Sequence, residues 1–125
     1  MEPNALQTAL RDFARKREWE PFHNPKNLVM ALSGEVGELT ELFQWLTEAE
    51  SGAVMATPAV AARVREEVAD VYLYLLRLAD VLDIDLEAAG HAKIAVNQAK
   101  YPEDLARGTA LKYDQLRRQP GFPEP

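Results

Sequence analysis

Two stretches set acids three residues apart inside runs of leucine and valine, and nothing else in the chain constrains its fold as much. In SGEVGELTELFQWL (33–46), Glu35 and Glu38 interleave with Leu39, Leu42, Phe43 and Leu46. In VREEVADVYLYLLRLADVL (64–82), Glu67 and Asp70 interleave with Val64, Val68, Val71, Leu75, Leu78 and Leu82. Both stretches have the period of a helix and not of a strand. At about 100° of rotation per residue, Leu28, Leu32, Leu39, Leu42, Phe43 and Leu46 project to one side, within roughly 60°. Glu35 falls in the middle of that set and Glu38 on its shoulder, whereas Glu41 and Glu48 project to the opposite side. In the later stretch Glu67 lies on a shoulder of the apolar stripe, and Asp70, Tyr74 and Val81 continue it. The later helix is apolar round most of its circumference, which predicts a well-buried element. Glu35 and Glu38 are expected in or at the edge of a core, and Glu41 and Glu48 in solvent.

Punctuation along the chain completes an all-α reading. Leu6, Leu10 and Phe13 predict a first helix over 4–16. The loop EWEPFHNP follows, ending in Asn24-Pro25, where Asn caps and Pro fits the first turn. A second helix is expected over 25–47 and a loop at EAESGAVMA (48–56). Thr57-Pro58 repeats the cap-and-proline signal and predicts a third helix to residue 82. Asp85 caps a fourth, ending near residue 100 before Tyr101-Pro102. LARGTALKYDQLRR (105–118) has room for one short helix, and the QPGFPEP end is expected to fray. No alternating β-branched run signals a strand. Four helices on short loops favour a four-helix bundle. The 125 residues suggest one domain, 1–113, with a flexible Pro/Gly-rich tail over 114–125.

The chain carries a net charge of −6, which argues against binding a nucleic-acid backbone. It contains no cysteine, so disulfides and thiolate metal sites are excluded. No apolar run of about 18 residues would span a membrane, the first residues do not read as a secretory signal, and the cytoplasm is the expected compartment. Buried carboxylates need counter-charge, because an unpartnered one costs several kcal/mol in rough terms. Only Arg63, Arg65 and Arg77 on the third helix and Lys26 on the second are available. A divalent ion is the more economical answer, and all-oxygen ligation suits Mg²⁺ or Mn²⁺. A di-iron bundle would want Glu-x-x-His pairs, and here the third residue on is Glu38 or Asp70. A solvated face is the alternative reading of one such acidic pair; two pairs on core-side shoulders favour metal. Gly34 and Gly37 read either as close helix–helix contacts, across a subunit boundary, or as tolerated surface glycines.

These residues resemble the all-α nucleoside triphosphate pyrophosphohydrolases of the MazG-like superfamily. Their motif is ExxE, a spacer, then ExxD: here Glu35 and Glu38, then Glu67 and Asp70. REWEPFHNPKNLVMALSGEVGELTELFQW and KIAVNQAKYPEDLARGTALKY are similar to the dCTP pyrophosphatase branch. The resemblance implies cleavage of a nucleoside triphosphate between the α- and β-phosphates, as nucleotide-pool house-cleaning. It implies Glu35, Glu38, Glu67 and Asp70 as Mg²⁺ ligands, with Glu38 or Glu35 also acting on the attacking water. It implies a base pocket from Trp19, Phe22 and His23 with Trp45 and Tyr74, and assembly as a homodimer or homotetramer. Lys93, Asn97 and Lys100 share one face of the fourth helix, either a solvated basic stripe or a phosphate grip; the resemblance favours the grip. Tyr101 caps the site or packs, and a core place is the alternative for Trp45. His91 has no assigned role.

Overall fold

Helix starts in the computed structural model, which describes residues 1–124, follow the caps. Helix α1 (Ala5–Lys16) opens on Asn4, whose side chain accepts from the Gln7 backbone N–H at 2.8 Å, while the Gln7 side chain accepts from the Asn4 N–H at 3.1 Å. This reciprocal box satisfies two otherwise orphaned donors. Helix α2 (Pro25–Glu41) opens on Asn24, which accepts from the Asn27 N–H at 3.0 Å. Short helix α3 (Glu48–Gly52) and a 3₁₀ turn (Val54–Ala56) precede helix α4 (Pro58–Val81). Helix α5 (Leu86–Lys100) opens on Asp85, which accepts from the Ala88 N–H at 3.0 Å. Two one-turn helices follow, α6 (Glu103–Ala106) and α7 (Tyr113–Leu116). The described residues are helices, turns and irregular segments, with no strand among them, so the fold is all-α.

Four features differ from the sequence expectation. Helix α2 stops at Glu41 and not at residue 47. Leu42 and Phe43 donate to Leu39 and Thr40, three residues back, at 3.2 and 3.0 Å, which tightens the chain out of the α register. The expected loop at 48–56 instead holds α3, because Thr47 and Glu50 form a second reciprocal box: the Thr47 hydroxyl accepts from the Glu50 N–H at 3.2 Å and the Glu50 carboxylate from the Thr47 N–H at 3.0 Å. Thr57 precedes α4 but its side chain makes no capping bond, so Pro58 alone marks that start. Residues 105–118 take part in two short helices where one was expected.

The chain divides into two compact units, Met1–Ile84 and Asp85–Pro125. In the first, α2 and α1 both pack on α4. Its core is Ala14, Leu28, Ala61, Val64, Leu76 and Ala79. The alanines let the helices approach closely, and Gln7 ties α1 to α4 by donating to the Leu76 carbonyl at 3.1 Å. Gln7 is itself buried, so its amide is satisfied on both ends, as a buried polar group must be. One expectation about packing is corrected here. Helix α4 is only partly covered: Val68 is 48% exposed, and Leu75 and Leu82 are also open. The helix carries apolar residues round more of its surface than α1 and α2 can cover. A Cβ at Gly34 or Gly37 would meet nothing within 4 Å, so these glycines serve no close helix contact within this chain. In the second unit Leu116 is fully buried and the rings of Tyr113 and Phe122 meet edge-on at 6.0 Å.

Candidate functional site

Packing α2 against α4 brings the two acidic stretches face to face. Carboxylate oxygens of Glu35, Glu38 and Glu67 lie within 4.8 Å of one another. Glu35 and Glu67 are half-buried and Glu38 is exposed. One oxygen of Glu35 and one of Glu67 are shut away from solvent with no hydrogen-bond donor. No ion pair reaches any of the three among the described residues. Burial pushes the Glu35 carboxyl up to about 6, and the neighbouring Glu38, Asp70 and Glu67 add to the rise. Burial raises Glu67 as well, followed by Glu38 and Asp70; Arg63 opposes it weakly. Like charges gathered with no partner are costly, and a divalent cation with oxygen preference is the group whose chemistry matches the orphaned oxygens. Asp70 stands outside the trio. It lines the adjoining pocket yet is close enough to bear on both glutamates.

That pocket, of about 280 Å³, is walled by Phe13 and Leu10 of α1, by Trp19 and His23, and by Asp70, Leu73, Tyr74 and Arg77 of α4. The end of α1 delivers Trp19. Glu18 turns left-handed at φ +54°, and the Trp19 N–H reaches back to the Ala14 carbonyl at 2.9 Å, the wrapped ending that satisfies terminal helix carbonyls. Trp19 then meets the Phe13 ring edge-on at 5.7 Å. A 3₁₀ turn over Glu20–Phe22 carries the chain to His23, whose ring stands 6.3 Å from Trp19. The Arg77 Nε donates to the His23 Nδ1 at 3.1 Å. Arg77 also reaches Asp80 at 3.4 Å, and Arg11 donates to both oxygens of Asp80 at 2.7 and 2.5 Å. Asp80 is held below the usual carboxylate range by Arg11 first and Arg77 after it, against the opposing effect of burial.

Of the expected base-pocket residues, Trp19, His23 and Tyr74 come together, and Phe22 and Trp45 do not line the cavity. Phe22 is 65% exposed and Trp45 87%, which excludes the core alternative for Trp45 within this chain. Lys93, Asn97 and Lys100 lie on α5 and Tyr101 follows it, all in the second unit. The Lys100 ammonium sits 5.5 Å from the centre of the Tyr113 ring. The sequence reading missed Leu10, Phe13, Leu73 and, above all, the network of Arg11, Arg77 and Asp80. A signal was available for Arg77: it stands at i+7 from Asp70 and i+3 from Tyr74, on the same helical face.

Fold and site together define an all-α protein with a carboxylate cluster opening on an aromatic pocket. Residues 30–116 match the MazG-like family model, and the chain belongs to that family. It is 48% identical over 107 residues to dCTP pyrophosphatase 1 of Rattus norvegicus, covering 86% of this chain and 63% of that one. To dCTP pyrophosphatase 1 of Homo sapiens it is 47% identical over 105 residues, covering 84% and 62%. The chain thus spans a little under two thirds of the length of these curated relatives. It is also similar to the crystal structure of a pyrophosphatase from Archaeoglobus fulgidus, with a TM-score of 0.72 at 42% identity over 78% of this chain and 89% of that one. No helix among the described residues is long and apolar enough to cross a membrane.

Proposed function

We propose that the protein is a Mg²⁺-dependent nucleoside triphosphate pyrophosphohydrolase that converts dCTP, or a related pyrimidine deoxynucleotide, to the monophosphate and pyrophosphate. The observation that carries this reading is the pair of buried, donorless oxygens on Glu35 and Glu67, facing each other across α2 and α4. Relatives named dCTP pyrophosphatase 1 and a structural neighbour named a pyrophosphatase support the reaction and the base. Glu35, Glu38 and Glu67 would hold Mg²⁺, with Mn²⁺ as a substitute and Asp70 as the fourth acid. Bound there, the ion would neutralise phosphate charge and acidify a water. Glu38, the most open of the trio, would take a proton from an attacking water, with Glu35 the second candidate. Trp19 and Tyr74 offer aromatic faces to the base in the pocket they share with His23. Phe22 and Trp45, exposed in this chain, are assigned to the base, and Lys93, Asn97, Lys100 and Tyr101 to the phosphates.

We assign the activity to a domain over residues 1–113, in the cytoplasm, in nucleotide-pool house-cleaning. A homodimer or homotetramer completing a four-helix bundle would cover the apolar side of α4 that this chain leaves open at Val68, Leu75 and Leu82. The test is a panel of nucleoside triphosphates with Mg²⁺, reading pyrophosphate and monophosphate. Pyrophosphate release that is greatest with dCTP and stops with EDTA and with Glu38→Ala is expected. Orthophosphate as the sole inorganic product, or no turnover of any nucleotide, would refute the reading.

A further inference from the structure

Arg77 has no lone pair to offer and keeps its proton at every accessible pH. A ring nitrogen that takes a hydrogen bond from its Nε must therefore be unprotonated. The 3.1 Å contact from Arg77 Nε to His23 Nδ1 thus selects one form of the imidazole, neutral with its proton on Nε2. The selection is enforced from behind. The Arg77 side chain is only 11% exposed and is braced by Asp80, at 4% exposure, which is gripped in turn by Arg11 from α1. Burial and then the Arg77 charge both push the His23 imidazole below its ordinary value, in the same direction as the geometry. Nδ1 is consumed, so the one polar atom His23 can present to the pocket is Nε2–H, a donor that cannot accept.

We propose that Arg77, clamped by Asp80 and Arg11, is a positioning residue that fixes His23 as a donor-only Nε2–H imidazole and thereby favours a cytosine base over uracil and thymine. The chemical basis lies on the base edge. Cytosine carries acceptors at both O2 and N3, whereas N3 of uracil and thymine carries a hydrogen. All three bases accept at O2, so the discrimination lies at N3: a donor fixed toward that atom meets a partner on cytosine and a second donor on uracil or thymine, and the unsatisfied polar pair is what makes it effective. A free histidine would rotate or change tautomer and accept either base. The inference rests on the reading of this pocket as a nucleotide site, but its first half concerns the free protein alone.

The experiment has two arms on the full chain. In the first, ¹⁵N spectra of the ligand-free protein report the His23 ring nitrogens: Nδ1 unprotonated and Nε2 protonated in the wild type, and a mixture of tautomers in Arg77→Met. In the second, kcat and KM are measured for dCTP and dUTP. Arg77→Met is expected to lower the dCTP-to-dUTP ratio of kcat/KM on the order of tenfold, mainly through a higher KM for dCTP. Asp80→Asn leaves Arg77 in place but unbraced, and is expected to shift both readouts the same way by less. It also keeps the proposal falsifiable should Arg77→Met fold poorly. A wild-type ring protonated on Nδ1 overturns the tautomer lock. A base ratio unchanged in a variant that has lost the lock overturns its role in selectivity. The expected tautomer with no nucleotide turned over overturns the nucleotide reading, and the selectivity with it.

Discussion

Glu67 and Asp80 sit on the same helix, 13 residues and so roughly 20 Å apart by the helical rise, and meet opposite fates. Around Asp80 every charge is answered: Arg11 and Arg77 hold it and depress its proton affinity. Around Glu67 acid faces acid, with Glu35 and Glu38 across the gap and proton affinity raised. Both are carboxylates leaning off an apolar stripe, so the side chain alone does not separate them. The separator is what α1 and α2 bring opposite. Helix α1 supplies an arginine to Asp80, while α2 supplies more acid to Glu67. Asp80 is answered by the chain itself, and Glu67 meets no counter-charge among the described residues.

The strongest test of that contrast is to neutralise each acid in turn. Glu67→Gln should cut pyrophosphate release on the order of a hundredfold or more, as loss of a metal ligand does, yet raise the melting temperature of protein stripped of divalent ions. A lower melting temperature would mean that Glu67 has a partner in the protein. Asp80→Asn should do the reverse to stability, lowering it by about 2 kcal/mol in denaturant unfolding. That is less than a fully buried pair would lose, because Arg11 is half exposed; an unchanged unfolding midpoint would break the comparison.

Acidity separates the ends by sign. Glu35 binds its proton more tightly folded, at about 6, than unfolded. Between about pH 4.5 and 6 the folded state therefore holds more protons, and the stability of divalent-free protein should fall as pH rises through that window. Added Mg²⁺ should cancel the fall. Asp80 is the opposite case: its depressed proton affinity supports the fold above about pH 4, and that support goes as pH drops below it. Melting curves from pH 3.5 to 7, with and without Mg²⁺, would show both slopes; a rise between 4.5 and 6 without the ion contradicts the account of Glu35. The smallest effect lies at the pocket rim. Glu18→Gly relieves a left-handed residue and should add about 0.5–1 kcal/mol without moving Trp19, read as a higher midpoint with unchanged tryptophan fluorescence.

The acidic trio and the four longer helices were legible in the sequence, because helical period and proline punctuation are local. Glu35 projected into the apolar stripe by rotation alone, and its partners followed by pairing two such stripes. The stop at Glu41 was not read, since a tightening three-residue hydrogen-bond pattern leaves no mark in apolar periodicity. Helix α3 was missed although Thr47-x-x-Glu50 announces it. The Arg11–Asp80 grip joins residues 69 positions apart, and no local rule reports a partner at that distance. Trp45 shows the limit from the other side: its place beside the leucine stripe suggested burial, but the helix ended four residues before it.

Gln7 deserves a last consequence. One buried amide closes the start of α1 and also fastens that helix to the backbone of α4 at Leu76. The same helix contributes Leu10 and Phe13 to the pocket wall and Arg11 to the Asp80 clamp. The first helix is therefore tied to α4 at two points, Gln7 and Arg11, and amide hydrogen exchange along it should slow whenever the cavity behind it fills.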